Sequence, residues 1–182
     1  ILTAGFAAQV TLSGKGDKVA YAGANPDAAG EFAILVVDLA SGGPPRKVTQ
    51  FGQIALSPDG KTMAVGINTV DLYDTTTLAR IRSLDLKPKG VYLAVAFDRA
   101  GKRLAMATVG EVSVIDVATW KETQRVTRSA ALSDTPIALD FAGDSAVLRS
   151  ASGAVELIPL GPGAAPPSVL GGRALDSSAG GG

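Results

Sequence analysis

Apolar residues recur along the chain in short runs, and polar or turn-forming residues separate these runs. Residues 34–38 read ILVVD and residues 112–116 read VSVID, so each of these runs is rich in β-branched residues and ends at an aspartate. Runs of about four to eight residues bounded by turn signals are typical of strands buried on one or both sides. No stretch sustains the spacing that an amphipathic helix requires. The pattern therefore predicts an all-β fold.

One unit of this pattern repeats along the chain. Residues 10–20 read VTLSGKGDKVA, residues 54–64 IALSPDGKTMA and residues 95–105 VAFDRAGKRLA, with a shortened version, LDFAGDSAVL, at 139–148. The turn glycines of the four units are separated by 44, 41 and 42 residues. This period lies within the range of about 40 to 45 residues typical of four-stranded propeller blades.

The centre of each unit has the chemistry of a tight hairpin. In the turn of residues 57–60, Pro58 presets φ, Asp59 can bond nearby backbone amides and Gly60 accepts a positive φ. A second feature, an alternating strand that ends in a turn, follows about fifteen residues on in each unit. Spaced hairpins of this kind predict an antiparallel meander whose apolar faces pack on neighbouring units.

We therefore predict a β-propeller of about four four-stranded antiparallel blades over residues 1–170, with blades at about 6–50, 51–88, 89–130 and 131–170. Residues 171–182 are rich in glycine and serine and are predicted to form a tail. Four blades are the low end for this architecture. Either they close on themselves, or the chain is an arc of a larger propeller, completed by further sequence, by another copy or by a partner. Because the sequence begins with Ile1 and not with Met, we expect an upstream segment: a signal peptide, an anchor or further blades.

The hairpin motif also carries a family resemblance. Residues 56–61, LSPDGK, resemble the Ser-Pro-Asp-Gly-Lys hairpin of TolB-type and YVTN-type bacterial propeller repeats, which are distant relatives of the WD repeat. Residues 112–121, VSVIDVATWK, resemble the turn between the third and fourth strands of such repeats. The resemblance covers roughly residues 6–170, and the Gly-His and Trp-Asp pairs of a strict WD repeat are absent. It implies a rigid ring whose loop-bearing faces bind proteins, peptides or small molecules.

Composition narrows the range of functions. The 182 residues include 46% hydrophobic and 19% charged residues, which is typical of a folded domain. Seventeen Lys and Arg residues balance seventeen Asp and Glu residues, which argues against nucleic-acid binding. The chain has neither Cys nor His, so disulfides, thiolate nucleophiles, imidazole bases and the usual zinc sites are excluded. The absence of Cys is compatible with a cell-envelope or secreted location, and no apolar run is long enough to cross a bilayer.

Several surface features are candidates for contact with a partner. The loop of residues 22–30 is longer than its counterparts and offers Asn25 and Asp27, which can also be solvated loop residues or oxygen ligands for a hard cation. Trp120, the only tryptophan, stands in a polar turn, where it either anchors a partner or covers a strand end. The densest positive cluster consists of Arg80, Arg82, Lys87 and Lys89.

The aspartate that ends three of the strand runs has a structural interpretation. Asp38, Asp74 and Asp116 occupy the same place in three units. A ring of carboxylates is one alternative, but an Asp before a short loop is more often an acceptor for nearby backbone amides. We therefore expect these residues to hold turns.

The sequence thus predicts a non-enzymatic binding or scaffold module that contacts protein partners or copies of itself in a larger assembly. We expect no catalytic residues, cofactor or metal site, because no Gly-x-Ser-x-Gly motif, phosphate loop or histidine base occurs. The alternative is a substrate-binding or regulatory propeller domain of an enzyme whose catalytic part lies outside this chain.

Overall fold

Sixteen short strands, gathered in four antiparallel sheets, make up the fold of the described chain. The computed structural model describes residues 9–25, 28, 30–87, 90–91, 93–129 and 135–171. Among these residues there is no helix of the length and apolarity needed to cross a bilayer. The structure confirms the predicted all-β class and the four four-stranded units.

Each sheet is a meander of four strands that are consecutive in sequence. The first sheet contains β1 (Gln9–Leu12), β2 (Lys18–Ala24), β3 (Phe32–Asp38) and β4 (Arg46–Val48). The second contains β5 (Gln53–Leu56), β6 (Thr62–Gly66), β7 (Val70–Asp74) and β8 (Arg80–Leu84). The third contains β9 (Ala94–Phe97), β10 (Arg103–Ala107), β11 (Glu111–Asp116) and β12 (Lys121–Thr127). The fourth contains β13 (Pro136–Ala142), β14 (Ser145–Ser150), β15 (Val155–Pro159) and β16 (Ser168–Gly171).

The first strands of the four sheets lie side by side at the centre of the molecule. Strand β1 contacts β5, β5 contacts β9 and β9 contacts β13. These four strands line one open groove. The sheets therefore radiate from this groove as propeller blades do.

The meander gives the molecule two distinct ends. The hairpins between first and second strands and the turns between third and fourth strands lie at one end, which we call the hairpin end. The loops between second and third strands and the connections between sheets lie at the other, which we call the linker end. Insertions in the loops of either end leave the strand ladders intact.

Apolar clusters between neighbouring sheets hold the blades together. The first and second sheets bury Ile34, Val36, Ile54 and Met63 between them. The other two clusters are built alike, from Leu72, Leu104 and others between the second and third sheets and from Val112, Leu148 and others between the third and fourth. In the described residues no such cluster joins the fourth sheet to the first. The four blades therefore form an open arc.

The recurrent aspartates hold turns, as predicted. Asp74 Oδ1 accepts hydrogen bonds from the backbone N–H groups of Thr76 and Thr77 at 2.9 and 2.7 Å. Asp38 Oδ1 accepts from Ala40 N and Ser41 N, both at 3.0 Å. These bonds lower the pKa of both carboxyl groups, with the backbone amides of Thr77 and Ser41 as the largest causes.

Candidate functional site

The long loop of the first sheet begins with a residue that points inward. Asn25 is only 6% exposed, and its Nδ2 donates to Glu31 Oε2 at 3.2 Å. Its backbone N–H also donates to the carbonyl of Glu31 at 2.9 Å. These bonds close the loop across its base, at the linker end. Asp27, the other candidate in this loop, lies outside the described residues.

The predicted positive cluster is spread over two faces and one end of the second sheet. Arg80 pairs in register with Tyr73 and Arg82 with Leu72, and a register shift lies between these two pairs. Tyr73 belongs to the cluster facing the first sheet and Leu72 to the one facing the third. The two arginines therefore stand on opposite faces of the blade.

Lys87 completes the described part of the positive cluster. It is exposed at the linker end, where its backbone N–H donates to Asp85 Oδ1 at 3.3 Å. Lys89 lies outside the described residues. The structure therefore places Lys87 apart from Arg80, which begins strand β8 at the hairpin end.

Trp120 lies in the turn between β11 and β12, at the hairpin end. Its backbone N–H donates to the Asp116 carbonyl at 2.7 Å, and its φ is 55°. The indole is half-buried and packs against the cluster between the second and third sheets. Its apolar surface therefore covers the end of that cluster.

The linker end carries an aromatic cleft that was not singled out from the sequence. The rings of Phe32 and Phe51 meet edge to face with their centroids 5.2 Å apart, and Phe51 is 46% exposed. They border a cleft of about 270 Å³ between the first and second sheets, whose lining includes the amide side chains of Gln9, Gln50 and Gln53. Aromatic rings beside amide groups can bind both the apolar and the polar parts of a peptide.

Partly buried hydrogen bonds hold Gln50 in the wall of this cleft. Tyr73 donates its hydroxyl proton to Gln50 Oε1, and Gln50 Nε2 donates to Asp71 Oδ2 at 3.1 Å. Burial raises the pKa of the Tyr73 hydroxyl, so the phenol stays protonated and remains a donor. The connection that carries Phe51 is therefore anchored on the second sheet.

A second concavity follows the central groove. Its volume is about 660 Å³, and the first strands of all four sheets line it, with Asp98, Arg99 and Asp140 as its charged residues. Asp98 Oδ1 already accepts from the backbone N–H groups of Lys102 and Arg103, at 2.7 and 3.0 Å. This carboxylate therefore serves the hairpin turn.

The described residues show no grouping suited to metal binding. Within them, no three Asp or Glu side chains come close enough together to hold an ion. Some carboxylates instead pair with a cationic side chain. Asp98 Oδ2, for example, lies 3.0 Å from Arg103 Nε in a structural ion pair. The aromatic cleft is lined by aromatic and amide side chains, and the central groove also carries the charged side chains of Arg99 and Asp140.

The most buried polar pair in the described chain was also missed in the sequence. Arg128 follows β12 and Glu156 lies in β15, with side-chain exposures of 1% and 0%. Glu156 occupies the same strand position as Asp71 in the second sheet, and Arg128 the same linker position as Gln50. The sequence does carry a signal for this pair, since aligning the repeats places Glu156 with Asp71 and Arg128 with Gln50.

Comparison with solved structures identifies the architecture. The chain superposes on the structure of U3-55K with a TM-score of 0.69 and 16% identity, covering 91% of this chain and 53% of that one. On RRP9 WD40 repeats the TM-score is 0.66 with 16% identity, covering 85% and 49%. On Kuenenia stuttgartiensis hydrazine synthase it is 0.63 with 17% identity, covering 82% and 45%. The chain thus spans about half the length of the structures it matches.

The four radiating four-stranded sheets and these comparisons define the fold as a β-propeller that is structurally similar to WD40-repeat propellers. No family model and no curated protein matches the sequence. The resemblance to TolB-type and YVTN-type repeats stays a prediction from the hairpin motif.

Proposed function

We propose that this chain is a non-enzymatic binding or scaffold module that contacts a protein partner through its linker end. The observation that carries the proposal is the exposed ring of Phe51, held edge to face on Phe32 above the aromatic cleft. Exposed aromatic residues on a rigid base are the side chains that most often dominate protein contacts, because they bury a large area at a small cost in side-chain entropy.

The linker end also brings several candidate residues to one side of the molecule. The loop that begins at Asn25, the exposed Lys87 and the connection carrying Phe51 all lie there. A protein segment that binds across these loops would meet an apolar centre with polar groups around it, which is the usual anatomy of a protein interface. The setting we propose is a larger bacterial assembly, and the cell envelope is compatible with the absence of Cys.

The test is a comparison of two matched variants. The tagged chain, isolated from its own cells in gentle salt, is expected to bring a partner with it. Phe51→Ala is expected to weaken binding of that partner about tenfold or more, because it truncates a central aromatic contact. Leu39→Ala is the control, since Leu39 is 53% exposed but lies at the hairpin end. Equal retention of the partner by both variants would contradict the proposal.

A second candidate is a substrate-binding or regulatory propeller domain of an enzyme. The observation that favours it is the structural likeness to hydrazine synthase, which is by name an enzyme. Determination of the full reading frame in the source organism distinguishes the two candidates. A neighbouring domain with catalytic motifs of its own would favour the second, and its absence the first.

A further inference from the structure

The first sheet carries an apolar face that points away from the second sheet. We call it the first outward face; its members are Val10, Leu12, Val19, Tyr21, Leu35 and Val37. The strand register places these residues on one side, and the opposite side contributes Ala20, Ile34 and Val36 to the cluster with the second sheet. Val10 and Leu12 are 57% and 58% exposed.

The equivalent positions of the next two sheets are buried. Ile54 and Leu56 replace Val10 and Leu12 in the second sheet and are 1% and 5% exposed. Val95 and Phe97 replace them in the third sheet at 4% and 8%. In both sheets the cover is the opposite face of the preceding blade. The first outward face therefore has the composition of an interface between blades, and another blade is the cover that it fits.

The fourth sheet ends the arc with the complementary face. We call it the fourth outward face; its apolar members are Val147, Val155 and Leu157, which alternate with the residues packed on the third sheet. They occupy the repeat positions of Ala20, Ile34 and Val36, which cover the second sheet. The chain thus holds both halves of one further contact between blades, one half at each end of the arc.

A polar contact between neighbouring first strands supports the same match. Thr11 Oγ1 accepts a hydrogen bond from the backbone N–H of Leu56 in the next sheet at 3.3 Å. Asp140 occupies the position of Thr11 in the fourth sheet, and Leu12 occupies the position of Leu56 in the first. The side chain of Asp140 is exposed. Its Oδ1 accepts the backbone N–H of Phe141 at 2.7 Å, and we expect its other oxygen to accept the Leu12 N–H of another copy.

We propose that two copies of this chain associate head to tail, with the fourth outward face of each on the first outward face of the other. The product is a closed ring of eight blades, within the range known for propellers. Each copy supplies four of the eight blades. Closure of the ring forms the contact between a fourth and a first outward face twice, so both apolar faces of each copy are buried. This self-association goes beyond the partner binding proposed above.

The native mass of the purified 182-residue chain tests the proposal. Light scattering after size-exclusion chromatography, over a range of concentrations, is expected to show twice the 18.3 kDa mass of one chain. A single-chain mass at every concentration would overturn the proposal, and so would a series of growing oligomers, because either result excludes a closed pair.

Two variants test which faces meet. Leu12→Glu places a carboxylate in the first outward face and Val147→Glu places one in the fourth, so each is expected to raise the dimer dissociation constant by about 100-fold or more. Both sites are at least partly exposed in the single chain, and circular dichroism checks that the fold is kept. Ile81→Glu is the matched control, since Ile81 is 57% exposed on β8 and belongs to neither face.

Mixing the two variants distinguishes head-to-tail association from other pairings. In a ring of two identical variant chains, each of the two contacts contains one substituted face, so both contacts are disrupted. A mixed pair keeps one intact contact, between the fourth outward face of the Leu12→Glu chain and the first outward face of the Val147→Glu chain. A dimer that forms only in the mixture would support the proposal. A Val147→Glu chain that dimerises by itself would show that two first outward faces meet, and would overturn it.

Discussion

Arg128 and Glu156 form a buried ion pair between the third and fourth sheets, with Arg128 Nε 3.0 Å from Glu156 Oε2. Glu156 Oε1 accepts the backbone N–H of Ser129 at 2.7 Å, and Arg128 Nη1 donates to the Val109 carbonyl at 2.6 Å. Both charged groups are thus satisfied by hydrogen bonds where water does not reach. The pair ties the connection between the two sheets to the third strand of the fourth.

Removal of one partner of this pair should be costly. We expect Arg128→Met to lower the free energy of unfolding by about 3 to 5 kcal/mol, because Glu156 would remain buried without a counter-charge. Chemical denaturation followed by circular dichroism measures this. Arg99→Ala, at an exposed arginine, is the control and should change stability by less than about 0.5 kcal/mol.

The double variant separates charge burial from lost packing. If the uncompensated carboxylate is the cause, Arg128→Met combined with Glu156→Leu should be more stable than Arg128→Met alone. If the stability losses of Arg128→Met and Glu156→Leu instead add up in the double variant, lost packing and not the buried charge dominates.

The turn aspartates predict a loss of stability in acid. The pKa values of Asp38 and Asp74 are lowered by backbone hydrogen bonds, chiefly from Ser41 and Thr77, and that of Asp116 chiefly by the Thr119 hydroxyl. As pH falls, the unfolded chain takes up protons first, near the ordinary carboxyl pKa of 3.8. The stabilisation is therefore present above this pH and is lost as the pH falls through the lowered pKa of the folded state.

Asp74→Asn isolates one of these turns. We expect a lower Tm at pH 5 and a smaller further fall in Tm between pH 4 and pH 2 than the unmodified chain shows, measured by thermal melts across this range. Thr76→Ala in the same turn should keep the original pH dependence, since Thr76 bonds Asp74 through its backbone N–H. An unchanged acid slope in Asp74→Asn would contradict the assignment.

Gly52 allows the connection carrying Phe51 to pass close to the second sheet. A Cβ at this position would lie 2.8 Å from the Gly66 carbonyl oxygen and 2.9 Å from Val65 Cγ1. Gly52→Ala should therefore lower stability by about 1 to 3 kcal/mol in a denaturant melt. Gly110→Ala is the control, because nothing lies within 4 Å of its Cβ position; an equal loss in both would exclude the steric explanation.

The contact between the second and third sheets should respond to loss of volume. Leu72 is 1% exposed within this cluster, and Leu72→Ala should lower the free energy of unfolding by about 2 to 5 kcal/mol. Leu39→Ala, at a turn residue that is 53% exposed, should cost less than about 0.5 kcal/mol. Equal effects of the two would mean that the sheets do not depend on this cluster.

The candidate site was only partly accessible from the sequence. The long loop and the positive cluster could be noticed, but the irregular pairing between β7 and β8 sends Arg80 and Arg82 to opposite faces of one blade. A register shift depends on how two strands pair, and spacing along the chain does not reveal it. Phe32 begins β3 and Phe51 lies in the connection between the first two sheets, so their ring contact depends on how this connection packs and not on their spacing along the chain.

The sequence by itself determined the repeating unit, the hairpins and the turn aspartates, because these depend on residues within a few positions of one another. Gly60, for example, adopts a φ of 71° in the turn where its motif predicted a positive value. The tertiary structure decided which faces of the strands are covered. Ile54 and Val10 are equivalent in the repeat, yet one is 1% exposed and the other 57%. Their difference lies in the presence of a neighbouring blade, and burial of apolar surface depends on that neighbour and not on the residue alone.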